Sequence, residues 1–322
     1  MPRRLRREEY TVGWVCALPV ELAVAQELLD EEHDAPPGAA HDTNIYTCGH
    51  ISEHNVVIAC LPKGQTGTNS AAAVASQMQS AFTSIRFGLM VGIGGGVPSE
   101  EADIRLGDVV VSNPDKTYGG VVQYDFGKAT PSGFKRTGSL NTPPTILLNA
   151  IAMLQARHIR GRGTLPKYVS QLESLTGFAR KTAGPDVLFD WRYNHTGGLT
   201  CDKCDDDHLV RRQIRAQEVA VHYGTIASGN QVMRSAAERN SVSTELGGVL
   251  CFEMEAAGLM NSFPCLVIRG ICDYADSHKN KSWQSYAAAT AAAYAKELLL
   301  VIPAADVMKT RRAEDAMDGA DS

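Results

Sequence analysis

Apolar runs of strand length, unbroken by polar alternation and separated by helical patterns, restrict this 322-residue chain to a sheet covered on both faces. Residues 10–18 (YTVGWVCAL) read as a buried strand, and Pro19 opens a helical pattern through Leu29, because proline suits the first helical turn. Residues 55–61 (NVVIACL) form a second strand. GQTGTNSAAAVASQMQSAF reads as a glycine turn entering an alanine-rich helix, FGLMVGIGGGV as a strand ending in a glycine cluster, and GDVVVSN as a further strand. CLVIRGICDYAD is another buried run, followed by a polar loop and a helix from about Ser282 to Val301. Strands alternating with helices imply crossover units in a largely parallel sheet. Because such strands occur at both ends, residues 1–302 are expected to form a single α/β domain. Residues 160–215 lose periodicity and read as an insertion, an inserted lid, while 303–322 read as a flexible tail.

Composition narrows the function. Lys plus Arg (31) against Asp plus Glu (36) gives a net charge of -5, which argues against a nucleic-acid partner held by counterion release. Cys16, Cys60, Cys251, Cys265 and Cys272 lie in apolar runs, where reduced thiols act as small hydrophobes, so a cytoplasmic, reducing location is expected. Arg3, Arg4, Arg6 and Arg7 before the apolar stretch Tyr10–Val20 imitate a signal peptide. Glu8, Glu9 and Glu21 bracket that stretch and no small-residue cleavage site follows, so it is read as part of the fold. No run approaches a membrane span, and no membrane partner is expected.

Acids at strand ends are the candidate chemistry. Asp273 ends the run CLVIRGIC, and open α/β sheets bind ligands beyond the carboxyl ends of their strands. It is read as a general acid or, alternatively, as the cap of a turn. Glu21 follows the first strand in ALPVEL, either facing the same cleft or exposed in a first helical turn. FEMEAAGLM places Glu253 and Glu255 at the start of a helical pattern, where only one of the two can face a cleft; both also suit a solvated helix N-terminus. GIGGG at 92–96 permits close approach of backbone to a sugar or anion, but it lacks the dinucleotide-binding spacing.

Taken in order, VCALPVEL, VGIGGGV, IRLGDVVVS, IASGNQVM, CFEMEAAGLM and IRGICDYAD resemble the purine nucleoside and uridine phosphorylase superfamily, especially its methylthioadenosine/adenosylhomocysteine nucleosidase branch. The middle region resembles the phosphorylase-type domains at the N-terminus of fungal NLR-like proteins. The resemblance implies a central mixed, largely parallel twisted sheet flanked by helices, and a small purine nucleoside or nucleotide plus water as partners. It also implies a homo-oligomer, most simply a dimer, and no cofactor. Carried over, Asp273 would protonate purine N7, Glu255 would grip the ribose hydroxyls, and Glu21 would orient or deprotonate water. Met254 and Phe252 would pack near the sugar, with Met233, Val232, Asn230, Gly94, Ile93 and Glu253 as further substrate contacts.

Several positions depart from the family. The first loop offers Pro19, Val20 and Glu21 where phosphorylases place glycines and an arginine, and Ile93 replaces a phosphate-contacting Ser or Thr. Both departures favour hydrolysis over phosphorolysis. A nucleotide substrate such as ATP needs cations at its 5′ end, which Lys279, Lys281, Arg211, Arg212 and Arg215 offer unless they face solvent. His195, Cys201, Cys204 and His208 form H-x5-C-x2-C-x3-H, read either as a tetrahedral zinc set or as a loop with reduced thiols. A phosphate-dependent phosphorylase and a catalytically inactive nucleotide-sensing domain stay open as competing functions.

Overall fold

The computed structural model describes residues 3–38, 41–115 and 117–318. The first half runs β1 (Val12–Cys16), α1 (Pro19–Glu27), β2 (Glu31–His33), β3 (Tyr46–Ile51), β4 (His54–Cys60), α2 (Thr68–Ala81), β5 (Phe87–Gly96), β6 (Val109–Ser112) and β7 (Val121–Gln123). A separate hairpin, β8 (Gly127–Thr130) with β9 (Gly133–Arg136), precedes α3 (Thr145–Ile159), α4 (Leu165–Glu173) and α5 (Arg180–Ala183). The second half runs β10 (Val221–Gly224), β11 (Ile226–Ser228), α6 (Ala236–Glu245), β12 (Cys251–Glu253), β13 (Cys265–Asp273) and α7 (Gln284–Leu299). Two short helices, α8 (Ala304–Lys309) and α9 (Ala313–Asp318), close it.

The main sheet has the order β10-β6-β13-β5-β1-β4-β3-β2, with β7, β11 and β12 branching from β5. The central pairs β1–β4, β1–β5 and β5–β13 are parallel, as buried apolar strands joined by crossovers require. β13–β6, β3–β4 and β2–β3 are antiparallel, so the sheet is mixed. β5 is the hinge of this architecture. Phe87–Met90 pair with β1 and Gly88–Gly95 with β13, while Gly95 and Gly96 also pair antiparallel with Phe252 and Cys251 of β12. The short β7–β11–β12 limb therefore faces the carboxyl ends of the central strands, where an acid-bearing loop is most useful.

One face of the sheet carries α1, α3, α4 and α7 over Trp14, Ile58, Leu89 and Ile268, and the other carries α2 over Val15, Met90 and Val267. α7 is buried along nearly all its length, and its alanines allow that. At Gly270 a β-carbon would press into the carbonyl of Ala287 and lie 3.0 Å from its Cα, so sheet and helix backbones are in direct contact. α4 packs Leu165, Tyr168, Val169 and Leu172 into the same core, which makes the start of the 160–215 stretch part of the core. Only the part beyond α5 is irregular. Residues 304–318 of the presumed tail likewise form α8 and α9, anchored by buried Val307 and Ala313; residues 319–322 lie outside the described residues. No helix among the described residues is long and apolar enough to cross a membrane.

The Gly270–Ala287 contact generates a stability prediction. Gly270→Ala overpacks a site with no room for a methyl group and is expected to destabilise by about 1–3 kcal/mol, read as a lower urea midpoint at unchanged slope. An unaltered midpoint would show that α7 can shift outward at no cost.

Candidate active site

The acids gather around a cation inside the sheet. Arg269, midway along β13, is completely buried, and an unpaired charge there would cost several kcal/mol. Glu253, the last residue of β12, forms a close ion pair with Arg269 Nη2, and Glu255 Oε2 lies 3.5 Å from the same nitrogen. Glu21 approaches from the other side: a β-carbon at Gly92 would sit 2.5 Å from Glu21 Oε1 and against Arg269 Nη1. Burial opposes the charge on Arg269, yet Glu253, Glu255 and Glu21 together lift its pKa above the ordinary value. Nε and Nη1 of Arg269 are buried without a protein hydrogen-bond partner.

Glu21 is held by backbone. It is the third residue of α1, and its Oε2 accepts from the N–H groups of Ala17 (2.7 Å) and Leu18 (2.9 Å), while Oε1 accepts from Ile93 (2.9 Å). Burial pushes its pKa up, and Arg269 with the three N–H groups pulls the other way. Proline at the start of α1 contributes φ without needing a donor, so the first helical turn is formed where Glu21 reaches back to the strand end.

The expected helix at FEMEAAGLM is instead the end of β12 followed by one short 3-10 turn at Ala256–Gly258. Helical spacing therefore does not govern the two acids, and both are buried, at 5% exposure each. Glu253 accepts from the N–H of Glu255 (3.1 Å) and Ala256 (3.0 Å), so it serves Arg269 and the turn together. Glu255 Oε1 accepts from Gly67 N (3.2 Å), just before α2. Burial raises the Glu255 pKa to about 7 against the pull of Arg269, with Glu253 and Glu21 adding to the rise.

Asp273 ends β13 at a register shift between Ile271 and Asp273, an irregularity of the kind that re-aims side chains beside active sites. Its Oδ1 accepts from Ala275 N (2.9 Å) and its Oδ2 from Lys279 Nζ (2.8 Å). Burial disfavours the Lys279 charge, but Asp273 beside it raises the Lys279 pKa overall. The glycine cluster has a different use from the one its sequence suggested. Gly92 clears space for Glu21 and Arg269, and at Gly95 a β-carbon would lie 2.7 Å from Asp273 Oδ1. The cluster thus seats the protein's own carboxyl groups. Gly92 and Gly95 are three residues apart, roughly 10 Å of strand, which sets the scale of separation between the Glu21 and Asp273 ends.

Phe252 and Met233 are buried in one apolar cluster with Tyr124, Val97 and Ala275, while Met254 is half-buried and Val232 is exposed. Asn230 spends its side chain on Thr68: Oδ1 accepts from the backbone N (3.0 Å), and Nδ2 lies 3.1 Å from the hydroxyl. Gly94 and Ile93 lie on β5 within this region.

The basic residues divide. Arg215 is bidentate to buried Asp108 (2.5 and 2.9 Å), and Arg212 bonds Asp186 (2.7 Å), so both are committed to structural ion pairs that position the insertion. Lys281 and Arg211 are exposed. Of the candidate metal ligands, His195, Cys201 and Cys204 converge, whereas His208 stacks on Tyr193 with ring centroids 4.2 Å apart. The residue that sequence reasoning missed is Arg269. Its signal was a charge in the middle of CLVIRGIC, where a buried central strand demands buried partners for it.

Comparison with known proteins bears on the fold. Residues 175–302 match the phosphorylase superfamily. The chain is 50% identical over 92% of its length to a nucleotide-binding leucine-rich repeat (NLR)-like protein of Hyaloscypha variabilis, of which it spans 30%. It is 26% identical over 91% of its length to a Mycobacterium bovis 5′-methylthioadenosine/S-adenosylhomocysteine nucleosidase, covering 97% of that protein. The Helicobacter pylori nucleosidase of the same name superposes with a TM-score of 0.58 over 90% of this chain and 98% of the other, at 18% identity, which establishes shared fold. The match to the phosphorylase superfamily is thus carried by the second half of the chain, and the likeness of fold by most of its length. The fold is one also adopted by a methylthioadenosine/adenosylhomocysteine nucleosidase.

Glu255 yields a pH prediction. Its pKa is raised from the ordinary 4.5 to about 7, so its contribution favours the fold fully below about pH 4.5 and is lost as pH rises through 7. Glu255→Gln removes that titration. The unfolding free energy of wild type relative to the variant is expected to fall by on the order of 3 kcal/mol between pH 4.5 and 8, measured by urea unfolding at each pH. A constant difference between the two would show that Glu255 ionises normally.

Proposed function

We propose that this chain hydrolyses the N-glycosidic bond of a purine nucleoside or nucleotide and releases the free base. The observation that carries hydrolysis is the seating of Glu21. The N–H groups of Ala17 and Leu18, just past β1, and of Ile93 within β5, where the resemblance would seat an inorganic phosphate, already donate to its carboxylate. Phosphate would meet occupied donors and a like charge, whereas a neutral water meets a base.

In this reading the sugar lies between the Glu21–Arg269–Glu255 cluster and Asp273. Asp273, oriented by Ala275 N and Lys279, delivers a proton to purine N7 as the C1′–N9 bond breaks and positive charge develops on the ribosyl group. Glu255 holds the ribose hydroxyls, Glu21 takes a proton from the water that adds to C1′, and the unpaired Nη1 of Arg269 donates to that water. Phe252, Met254 and Met233 supply the apolar wall. Adenine is the favoured base, because the M. bovis relative is named for two adenosine derivatives.

A nucleotide substrate is the second reading. Arg212, Arg215 and Lys279 do not support it, being held by Asp186, Asp108 and Asp273; exposed Lys281, just beyond Asp273, is the cation that does.

One assay panel tests these readings: adenosine, methylthioadenosine, AMP and ATP, with and without inorganic phosphate, at two salt concentrations. Free base and free pentose or its original 5′-phosphate are expected without phosphate. A ribose 1-phosphate product strictly dependent on phosphate would establish the phosphorylase, and no turnover of any substrate would leave the binding-domain function. A 5′-phosphate site predicts ATP ahead of adenosine in kcat/KM, with the advantage shrinking as salt rises; equal values remove the nucleotide claim.

Asp273→Asn is expected to lower kcat by roughly 10²- to 10⁴-fold, measured at a temperature where the variant is still folded, because it also leaves Lys279 without its carboxylate. A variant keeping more than half of the wild-type kcat would take the general-acid role away from Asp273.

A further inference from the structure

The insertion holds a cluster that the glycosidic chemistry does not use. Ligand atoms of His195, Cys201 and Cys204 all lie within 4.8 Å of one another. His195 Nδ1 is 3.2 Å from Cys204 Sγ and 3.9 Å from Cys201 Sγ. Tetrahedral zinc with ordinary bond lengths separates nitrogen and sulfur ligands by roughly 3.5 Å and two sulfurs by about 3.8 Å, so the observed spacing is already that of a ligand set. The C-x2-C turn is closed by Cys204 N donating to Cys201 O at 2.9 Å, which brings both thiols to one side.

The tautomer of His195 is set for coordination. Its Nε2 lies 3.3 Å from Gly198 O, and a carbonyl can only accept, so Nε2 carries the hydrogen and Nδ1 turns a lone pair toward the sulfurs. A backbone carbonyl holding the second ring nitrogen is the usual outer support of a metal-ligating histidine.

A histidine from outside the spacing motif stands beside these three. Neither His208, which stacks on Tyr193, nor His278 belongs to the mutually close set, and of the two it is His278 whose ring contacts His195. His278, five residues past Asp273, meets His195 edge to face with ring centroids 5.6 Å apart. Its side chain is only 9% exposed, and its Nε2 is buried without a partner. On the other ring nitrogen, Asp276 Oδ1 lies 3.8 Å from Nδ1, a carboxylate–histidine pairing typical of zinc sites.

We propose that His195, Cys201, Cys204 and His278 form a structural zinc site that fastens the insertion to the loop following Asp273. The fastening has further contacts: His195 N donates to Ser277 Oγ (2.9 Å), and Phe189 stacks on His278 at 4.2 Å. Lys279, the next residue, holds Asp273. The metal thus acts as a clamp on the loop that orients the general acid, and touches no reacting atom.

The test uses the whole chain purified under reducing conditions without chelator. About one zinc per chain is expected by elemental analysis. Protein stripped with a chelator should bind Co2+ with the intense visible bands of a tetrahedral site and a thiolate-to-cobalt charge-transfer band. The Cys201→Ser/Cys204→Ser double variant is expected to lose both zinc and the charge-transfer band. His278→Ala should weaken Co2+ binding at least tenfold, and His208→Ala should leave it unchanged. Stripping should also expose Lys203 and Arg192 in the insertion to faster tryptic cleavage. Wild type with neither zinc nor a cobalt spectrum, or with a Cys201–Cys204 disulfide in the native protein, would overturn the site whatever the variants do. Full affinity in His278→Ala would overturn the clamp on the catalytic loop.

Discussion

The burial of Arg269 is the constraint on which the site depends. A guanidinium in the middle of a central parallel strand has no access to solvent, so the sheet must bring carboxylates to it from other segments. Glu253 and Glu255 arrive from the short limb that branches off β5, and Glu21 from the first turn of α1. Three parts of the chain distant in sequence are thereby fixed relative to one another by a single charge. Burial, with the neighbouring charges of Glu253 and Glu21 adding to it, lifts the Glu255 pKa to about 7 against the pull of Arg269.

Glycine is the complement of that arrangement. Large polar side chains can be stacked against a strand only where the strand has none of its own, and β5 provides this at Gly92 and Gly95. The same strand bends at its end to accept β12, so the glycines determine both the space for the acids and the direction from which two of them enter. Motif and architecture are consequences of one local requirement, the absence of a β-carbon.

Much of this was legible in the sequence. β1, α1, β4, α2, β5, β6, β13 and α7 follow from unbroken apolar runs and alanine-rich patterns, because central parallel strands carry no polar face to obscure them. Asp273 and Glu21 stood out as acids at strand ends. Arg269 did not, since one charge inside CLVIRGICD reads as an interruption until its partners are known. FEMEAAGLM has helical composition and was diverted by its pairing with Gly95 and Gly96, a long-range contact that local propensity cannot register. The pairing of Arg215 with Asp108, and the stacking of His208 on Tyr193, are likewise tertiary events between segments with no regular pattern. α4 was concealed for another reason: its apolar face is a single turn-spaced stripe inside a polar, glycine-containing stretch.

The occupation of the Ala17, Leu18 and Ile93 N–H groups by Glu21 has a thermodynamic corollary. An enzyme that passes a ribosyl group to phosphate makes a product still activated at C1′, and can run backwards when base accumulates. In the proposed hydrolysis, with Glu21 in that place, the activation is instead discarded into water. Under the proposed hydrolysis, flux is one-way and independent of phosphate, and it drains a nucleoside pool instead of equilibrating it.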